Sequence, residues 1–271
     1  MNYLEVRGDT MTRVHLSEIN TLIISNTAVS LTAYLLCELM KQKIKVIFCD
    51  EKRNPSSELV SYYGSHDTSA KLRKQVRWEE QAKNLVWTEI VREKISKQME
   101  LLAQYEKHET DMLAGYIDEL EYRDETNREG HAAKVYFNSL FGMGFSRKSE
   151  NSINAALNFG YSIILSAFNR EIVANGYITQ LGIAHDNIYN NFNLGSDFME
   201  PFRPLVDEVV YDMMPEQFGR EEKVEILRLL QREVMIGGKK QVVDNAIKIY
   251  CKSVLDALDE NDIRLIRFYE K

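Results

Sequence analysis

The sequence is poor in the residues that interrupt regular structure, with four prolines and thirteen glycines spread over 271 positions. That scarcity excludes collagen-like and Pro-rich chains and lets long stretches continue as helix. Cysteine is also sparse: Cys37, Cys49 and Cys251 are widely separated, form no C-x-x-C pair and have no histidine at zinc-ligand spacing. A disulfide-stapled fold and a zinc finger are therefore excluded, and reduced, buried thiols are expected. Apolar stretches such as Thr21 to Ile24 and Ile163 to Leu165 fall far short of the ~20 residues that cross a bilayer, so no membrane association is expected. No basic segment followed by an apolar core opens the chain, and the expected setting is cytoplasmic. An excess of cations is missing too. With a net charge of −7, the whole surface is not suited to coating nucleic acid, so any DNA contact has to come from local patches. No P-loop, G-x-G-x-x-G fingerprint, G-x-S-x-G elbow or H-E-x-x-H helix occurs, which leaves nucleotide hydrolysis, dinucleotide chemistry and common serine or zinc hydrolysis without motif support.

What is present divides in two. Short β-type runs (Tyr3 to Val6, Arg13 to Leu16, Thr21 to Ile24, Ile44 to Phe48) alternate with turn signals over the first sixty or so residues. One short helix, Leu31 to Met40, carries Leu31, Tyr34, Leu35 and Leu39 at helical spacing, and Asp50 to Ser57 reads as a polar loop. From Ala70 onward helical periodicity dominates: Val86, Ile90, Ile95, Met99 and Leu102 line one long helix, and Ile153, Leu157, Tyr161, Ile164, Leu165 and Phe168 another. The expected fold class is α+β, with a small N-terminal β domain (1–63), a linker (64–69) and a larger all-α C-terminal domain (70–271). A long Asn-rich irregular stretch, Gly182 to Ser196, is a candidate functional loop.

Three acidic or imidazole positions are candidates for chemistry. Glu129 heads an apolar helix face that continues through Ala133, Tyr136, Phe137 and Leu140, where a buried carboxylate needs a partner such as a metal ion; Thr126-x-x-Glu129 equally has the pattern of a capping box. His185 opens the irregular loop, either as a ligand or as a solvated side chain. Asp197 and Glu200 share a face at a helix start with Ser196 as its N-cap, and the same acids suit a helix N-terminus with Glu200 paired to Arg203. Glu129, His185 and Glu200, with Asp197 nearby, make a mainly oxygen donor set that suits Mg²⁺ or Mn²⁺ and phosphoryl transfer. The best basic patch is Lys71, Arg73, Lys74 and Arg77, at the head of the first long helix, as a DNA-phosphate contact or a solvated face.

Together these segments resemble the CRISPR-associated integrase, the first-numbered Cas protein, in its type II form. The resemblance is carried by Arg128-Glu129-Gly130-x-Ala132-Ala133-x-x-Tyr136-Phe137, by Arg170 to Gly176 running into Leu181 to His185, and by Asp197 to Asp207. Val46 to Arg53 looks like the family's last N-terminal strand. The resemblance implies a divalent-metal site on Glu129, His185 and Glu200, with Asp197 as a supporting acid. It implies a homodimer, two copies of which flank a dimer of the second-numbered Cas protein and carry a protospacer duplex into the CRISPR repeat. The implied chemistry is metal-assisted transesterification by the 3′-hydroxyl of incoming DNA, with endonuclease activity when water attacks instead. Met1 to Glu5 looks like the family's second strand. Either the numbered chain starts at an internal Met or this member is short, and both would leave an unpaired strand edge. Without the resemblance, a non-catalytic helical DNA-binding or scaffold protein is the reading the residues favour.

Overall fold

The computed structural model describes residues 2–8, 10–51, 53–62 and 65–270. Met1, in the run likened to the family's second strand, Lys52, in the Val46 to Arg53 run, and Tyr63, Gly64 and Lys271, at or beside the expected domain limits, lie outside the described residues, as does Asp9. Strands β1 (Tyr3–Arg7) and β2 (Met11–His15) form an antiparallel hairpin with Tyr3 opposite His15. Strand β3 (Thr21–Ile24) then connects through helix α1 (Ala33–Lys41) to β4 (Lys45–Cys49), and the two strands pair in parallel, as a crossover helix permits. Thr32 sets the start of α1 by accepting from the Leu35 amide at 3.2 Å. Val46 and Ile47 are almost wholly buried, one from each face of β4.

The segment expected as a polar loop ends in a strand, β5 (Pro55–Leu59), antiparallel to β4. Its residues are too polar to announce a strand, but β4 offers an edge that needs pairing. A register shift beside Phe48 and Cys49 admits Pro55 at the first position, where its missing N–H is tolerated. The last N-terminal strand is thus β5, one strand later than the Val46 to Arg53 run. Cys49 and Cys251 are buried, and burial pushes both thiols up, whereas Cys37 is exposed on α1, contrary to the expectation of three buried thiols.

The helical part follows as α2 (Thr68–Val76), α3 (Glu80–Gln104), α4 (Thr110–Asp118), α5 (Arg128–Phe141), α6 (Ser152–Ala174), α7 (Asn193–Phe198), α8 (Arg203–Met213) and α9 (Arg220–Arg228). The basic run does not head the long helix. It lies on α2 and its C-cap Arg77, because the chain turns at Trp78, whose buried indole donates to Asp259 at 3.0 Å. Helix α6 is surrounded, and Gly160 lets α8 approach it: a Cβ there would stand 2.3 Å from Val206 Cγ1.

Near the C-terminus, strands β6 (Glu233–Ile236) and β7 (Lys239–Val242) precede α10 (Val243–Glu260), and β8 (Tyr269–Glu270) completes a three-stranded sheet of order β7-β6-β8. Gly237 and Gly238 make the hairpin, both at positive φ as a two-residue turn requires. This sheet is an addition to the helical domain that helical periodicity does not reveal. The N-terminal strands dock on α6: Ser166 donates to Glu58 at 2.7 Å, and Arg170 reaches both Asn20 and Asp244. Among the described residues, no helix is long and apolar enough to cross a membrane.

Candidate active site

Helix α3 is the floor of the site. Trp87 and Lys94 stand seven positions apart, two turns, and so share one face. The Trp87 ring meets the His185 ring edge-on with centroids 5.8 Å apart. The Lys94 ammonium, almost wholly buried, lies 2.5 Å from Glu129 Oε1 and 2.5 Å from Glu200 Oε2. Burial works against its charge, but the two carboxylates outweigh that and raise its pKa above the ordinary value.

Glu129 is free to make this contact because the capping box does not form. Asp124 caps α5 instead, accepting from the amides of Arg128 at 2.6 Å and Glu129 at 3.1 Å, with Asn127 in the left-handed conformation at the turn. Thr126 Oγ1 is buried with no hydrogen-bond partner among the described residues. The side chain of Glu129 is thereby released toward α3.

Glu200 begins a short 3₁₀ turn, Glu200–Phe202, between α7 and α8. Its Oε1 accepts from Arg203 Nε at 2.9 Å, the i,i+3 pair expected from the sequence. Burial opposes its ionisation, and Arg203 and Lys94 overcome this, holding its carboxyl below the usual range. Ser196 is not an N-cap: α7 begins at Asn193, because the Asn193 side chain donates back to the carbonyls of Gln180 and Asn187, and Ser196 lies inside the helix.

Asp197 has a different task from Glu200. Fully buried, it accepts from the amides of Ile183 (2.7 Å), Ala184 (3.2 Å) and His185 (3.0 Å), and from His185 Nδ1 at 2.5 Å. Gly182 makes room for it, since a Cβ there would stand 2.7 Å from Asp197 Oδ2. The hydrogen bond to Asp197 raises the His185 pKa, with burial opposing. With Nδ1 engaged, Nε2 is the ring nitrogen left for a ligand.

Glu129 and Glu200 thus converge on one cation, whereas His185 is held beside them by Asp197. Among the described residues no three His, Cys, Asp or Glu groups stand close enough to ligate one ion as they are placed. The donor chemistry nonetheless fits a hard divalent cation: two carboxylates already surround a buried positive charge, and Glu200 Oε2 is buried without a well-directed hydrogen bond. Sequence reasoning missed Lys94 and Asp124. The signal for Lys94 was its place four residues after Ile90 on the buried face of α3, where a cation needs an anionic partner.

The family described as "CRISPR associated protein Cas1" matches residues 2–228. The chain belongs to that family. It is 34% identical over 211 residues to the CRISPR-associated endonuclease Cas1 of Neisseria meningitidis serogroup C (strain 8013), covering 76% of this chain and 68% of that protein. Its fold is similar to that of a casposase bound to its integration product, with a TM-score of 0.77 at 18% identity, covering 94% of this chain and 83% of that one. It is also similar to a Cas6-RT-Cas1–Cas2 complex chain, with a TM-score of 0.73 at 16% identity, covering 98% of this chain and 34% of that one.

The four basic residues of the Lys71 to Arg77 run, three on α2 and Arg77 at its C-cap, are not equivalent. Lys71 Nζ lies 3.4 Å and Lys74 Nζ 3.2 Å from Asp259, which also accepts from Tyr177 at 2.7 Å; burial opposes ionisation of Asp259, and the Trp78 indole, Tyr177 and the two lysines hold its carboxyl low. Lys71 also sits over the Tyr177 ring. Arg73 and Arg77 are exposed. Buried Gln75, from the same helix, bonds the backbone of Ile178 in both directions and the Leu181 carbonyl, tying α2 to the segment that carries His185.

Proposed function

We propose that this Cas1-family chain is a divalent-metal-dependent DNA integrase and endonuclease of CRISPR adaptation, inserting protospacer DNA into the array by attack of a 3′-hydroxyl on a phosphodiester. The observation that carries the reading is the convergence of Glu129 and Glu200 on one buried cation, beside a histidine whose Nδ1 is fixed. The endonuclease name of the Neisseria relative and the DNA-bound casposase support it. Glu129, Glu200 and His185 would hold Mg²⁺ or Mn²⁺, which supplies positive charge to acidify the attacking hydroxyl and neutralise the phosphate. Arg203 keeps Glu200 ionised, and Asp197 keeps His185 oriented. The nucleophile belongs to DNA or water, so no protein nucleophile is needed.

The helical domain, 70–271, is the catalytic part in this reading, and the β domain, 1–63, pairs two copies. The β1–β2 hairpin leaves Tyr3 and Met11 exposed on one face and Val6 on the other, apolar side chains that a second copy would cover in a homodimer. The proposed partners are a protospacer duplex, the CRISPR repeat and the second-numbered Cas protein, in line with the Cas1–Cas2 complex whose fold this chain shares. The test is joining of a 3′-hydroxyl duplex into a plasmid carrying leader and repeat, with the purified protein and its Cas2 partner, with and without Mn²⁺. A scaffold protein would bind DNA and join nothing in either condition.

A further inference from the structure

Lys94 presents a problem that the proposed chemistry does not absorb: a buried ammonium stands where two candidate ligands meet. A cation entering between Glu129 and Glu200 has to take those oxygens from it. A buried lysine stripped of both carboxylates is costly unless it finds another acceptor. One is waiting. Gln98, four residues on and buried at 2% exposure, has an Oε1 with no hydrogen-bond partner among the described residues. Side chains at i and i+4 share a helix face, so Gln98 is the next residue along the face that carries Lys94. An unpartnered buried carbonyl is itself destabilising, and an arriving ammonium would satisfy it.

We propose that Lys94 is an exchangeable counter-ion with two seats, one between Glu129 and Glu200 when no divalent cation is bound, the other against Gln98 Oε1 when one is. The inference rests on the metal reading above. Its consequence is a chain whose site stays charge-balanced without metal and whose apparent metal affinity is reduced by the fraction of molecules in which Lys94 holds the carboxylates. The lysine and the glutamine then act on affinity in opposite directions: the first competes with the ion, the second draws the competitor away.

The test is Mn²⁺ binding, followed by the electron paramagnetic resonance of free Mn²⁺, for the full chain, Lys94→Met and Gln98→Leu. Lys94→Met should bind Mn²⁺ about tenfold tighter or more and melt earlier without metal, while Gln98→Leu should bind it several-fold more weakly and melt no earlier. Mn²⁺ bound by all three with equal affinity overturns the two-seat lysine and leaves the metal reading standing. No Mn²⁺ bound by any of them sinks both. Weaker binding by Lys94→Met overturns the inference, because the lysine then supports the ion. If Lys94→Met does not fold, Gln98→Leu decides alone, and an unchanged affinity there counts against the proposal.

Discussion

Lys94 Nζ lies 2.5 Å from Glu129 Oε1, an ion pair that fastens the middle of α3 to the first turn of α5. Because Asp124 already caps that turn, this ion pair is what the Glu129 carboxylate is placed to make. Glu129→Gln should therefore leave α5 capped and Lys94 still paired with Glu200. We expect a metal-free destabilisation of about 1–2 kcal/mol, less than for a fully buried pair because Glu129 is partly exposed. Strand joining should fall about 100-fold or more if the carboxylate holds the ion, with DNA binding retained. Near-normal joining by Glu129→Gln removes that residue from the site.

Asp207 gives a stability prediction with a defined sign. Fully buried, it accepts from Tyr136 at 2.9 Å and from Tyr161, and burial pushes its carboxyl up to about 6 against those hydrogen bonds. With a folded value above the unfolded ~3.9, the folded state binds the extra proton, so this contribution is present below about pH 4 and lost as pH rises through 6. Asp207→Asn should accordingly gain on the wild type in thermal melts between pH 4.5 and 7.5, by about 2 kcal/mol across that range. A constant difference across the range would mean the carboxyl titrates elsewhere.

For His185 the coupling to Asp197 is directly measurable. The hydrogen bond holds the imidazole above its ordinary value, so Asp197→Asn should lower the His185 titration midpoint seen by NMR and loosen residues 183–185, whose amides lose a charged acceptor. An unmoved midpoint would show that Asp197 shapes the loop without tuning the ring.

On α2 and at its C-cap, the exposed and the committed cations should separate. Replacing Arg73 and Arg77 with Ala should weaken DNA binding and flatten the dependence of log affinity on log salt by up to ~0.9 for each phosphate no longer neutralised. Lys71→Ala should chiefly lower the melting temperature, since that side chain is held against Asp259 and Tyr177. Equal salt slopes for wild type and the double variant would make α2 a plain solvated face.

The hairpin surface is tested by light scattering. The wild type should have a dimer mass at micromolar concentration, and Met11→Glu, at an exposed position of β2, should shift it toward monomer. A dimer unaffected by that change places the interface elsewhere.

Much of this architecture was legible because period and composition are local properties. The runs at 3–6, 13–16, 21–24 and 44–48 overlap β1 to β4, with Leu16 falling in a 3₁₀ turn after β2 and Ile44 just before β4, and the 3.6-residue repeats of α3 and α6 place their apolar faces in the core. β5 was not legible, since Ser56, Ser57 and Glu58 carry no strand pattern and pair only because β4 presents an open edge. The β6–β8 sheet was missed for a related reason: its segments are four, four and two residues long, and only the Gly237-Gly238 turn marks it.

The sequence by itself determined the residue types of the site and the segments that bear them: Glu129 at a helix start, His185 in an Asn-rich stretch, Asp197 and Glu200 three residues apart. It also carried the family resemblance, since motif order and spacing are properties of the chain alone. Only the tertiary structure decided which partner each residue takes. The spacing Thr126-x-x-Glu129 satisfies a capping box as well as it satisfies a buried ion pair, and the choice went to Lys94 because Asp124 supplied the cap from outside the helix. A cap is settled within one turn of backbone. A counter-ion thirty-five residues away is settled only when the packing of α3 against α5 closes, because the cost of burying each charge is met by the other only there.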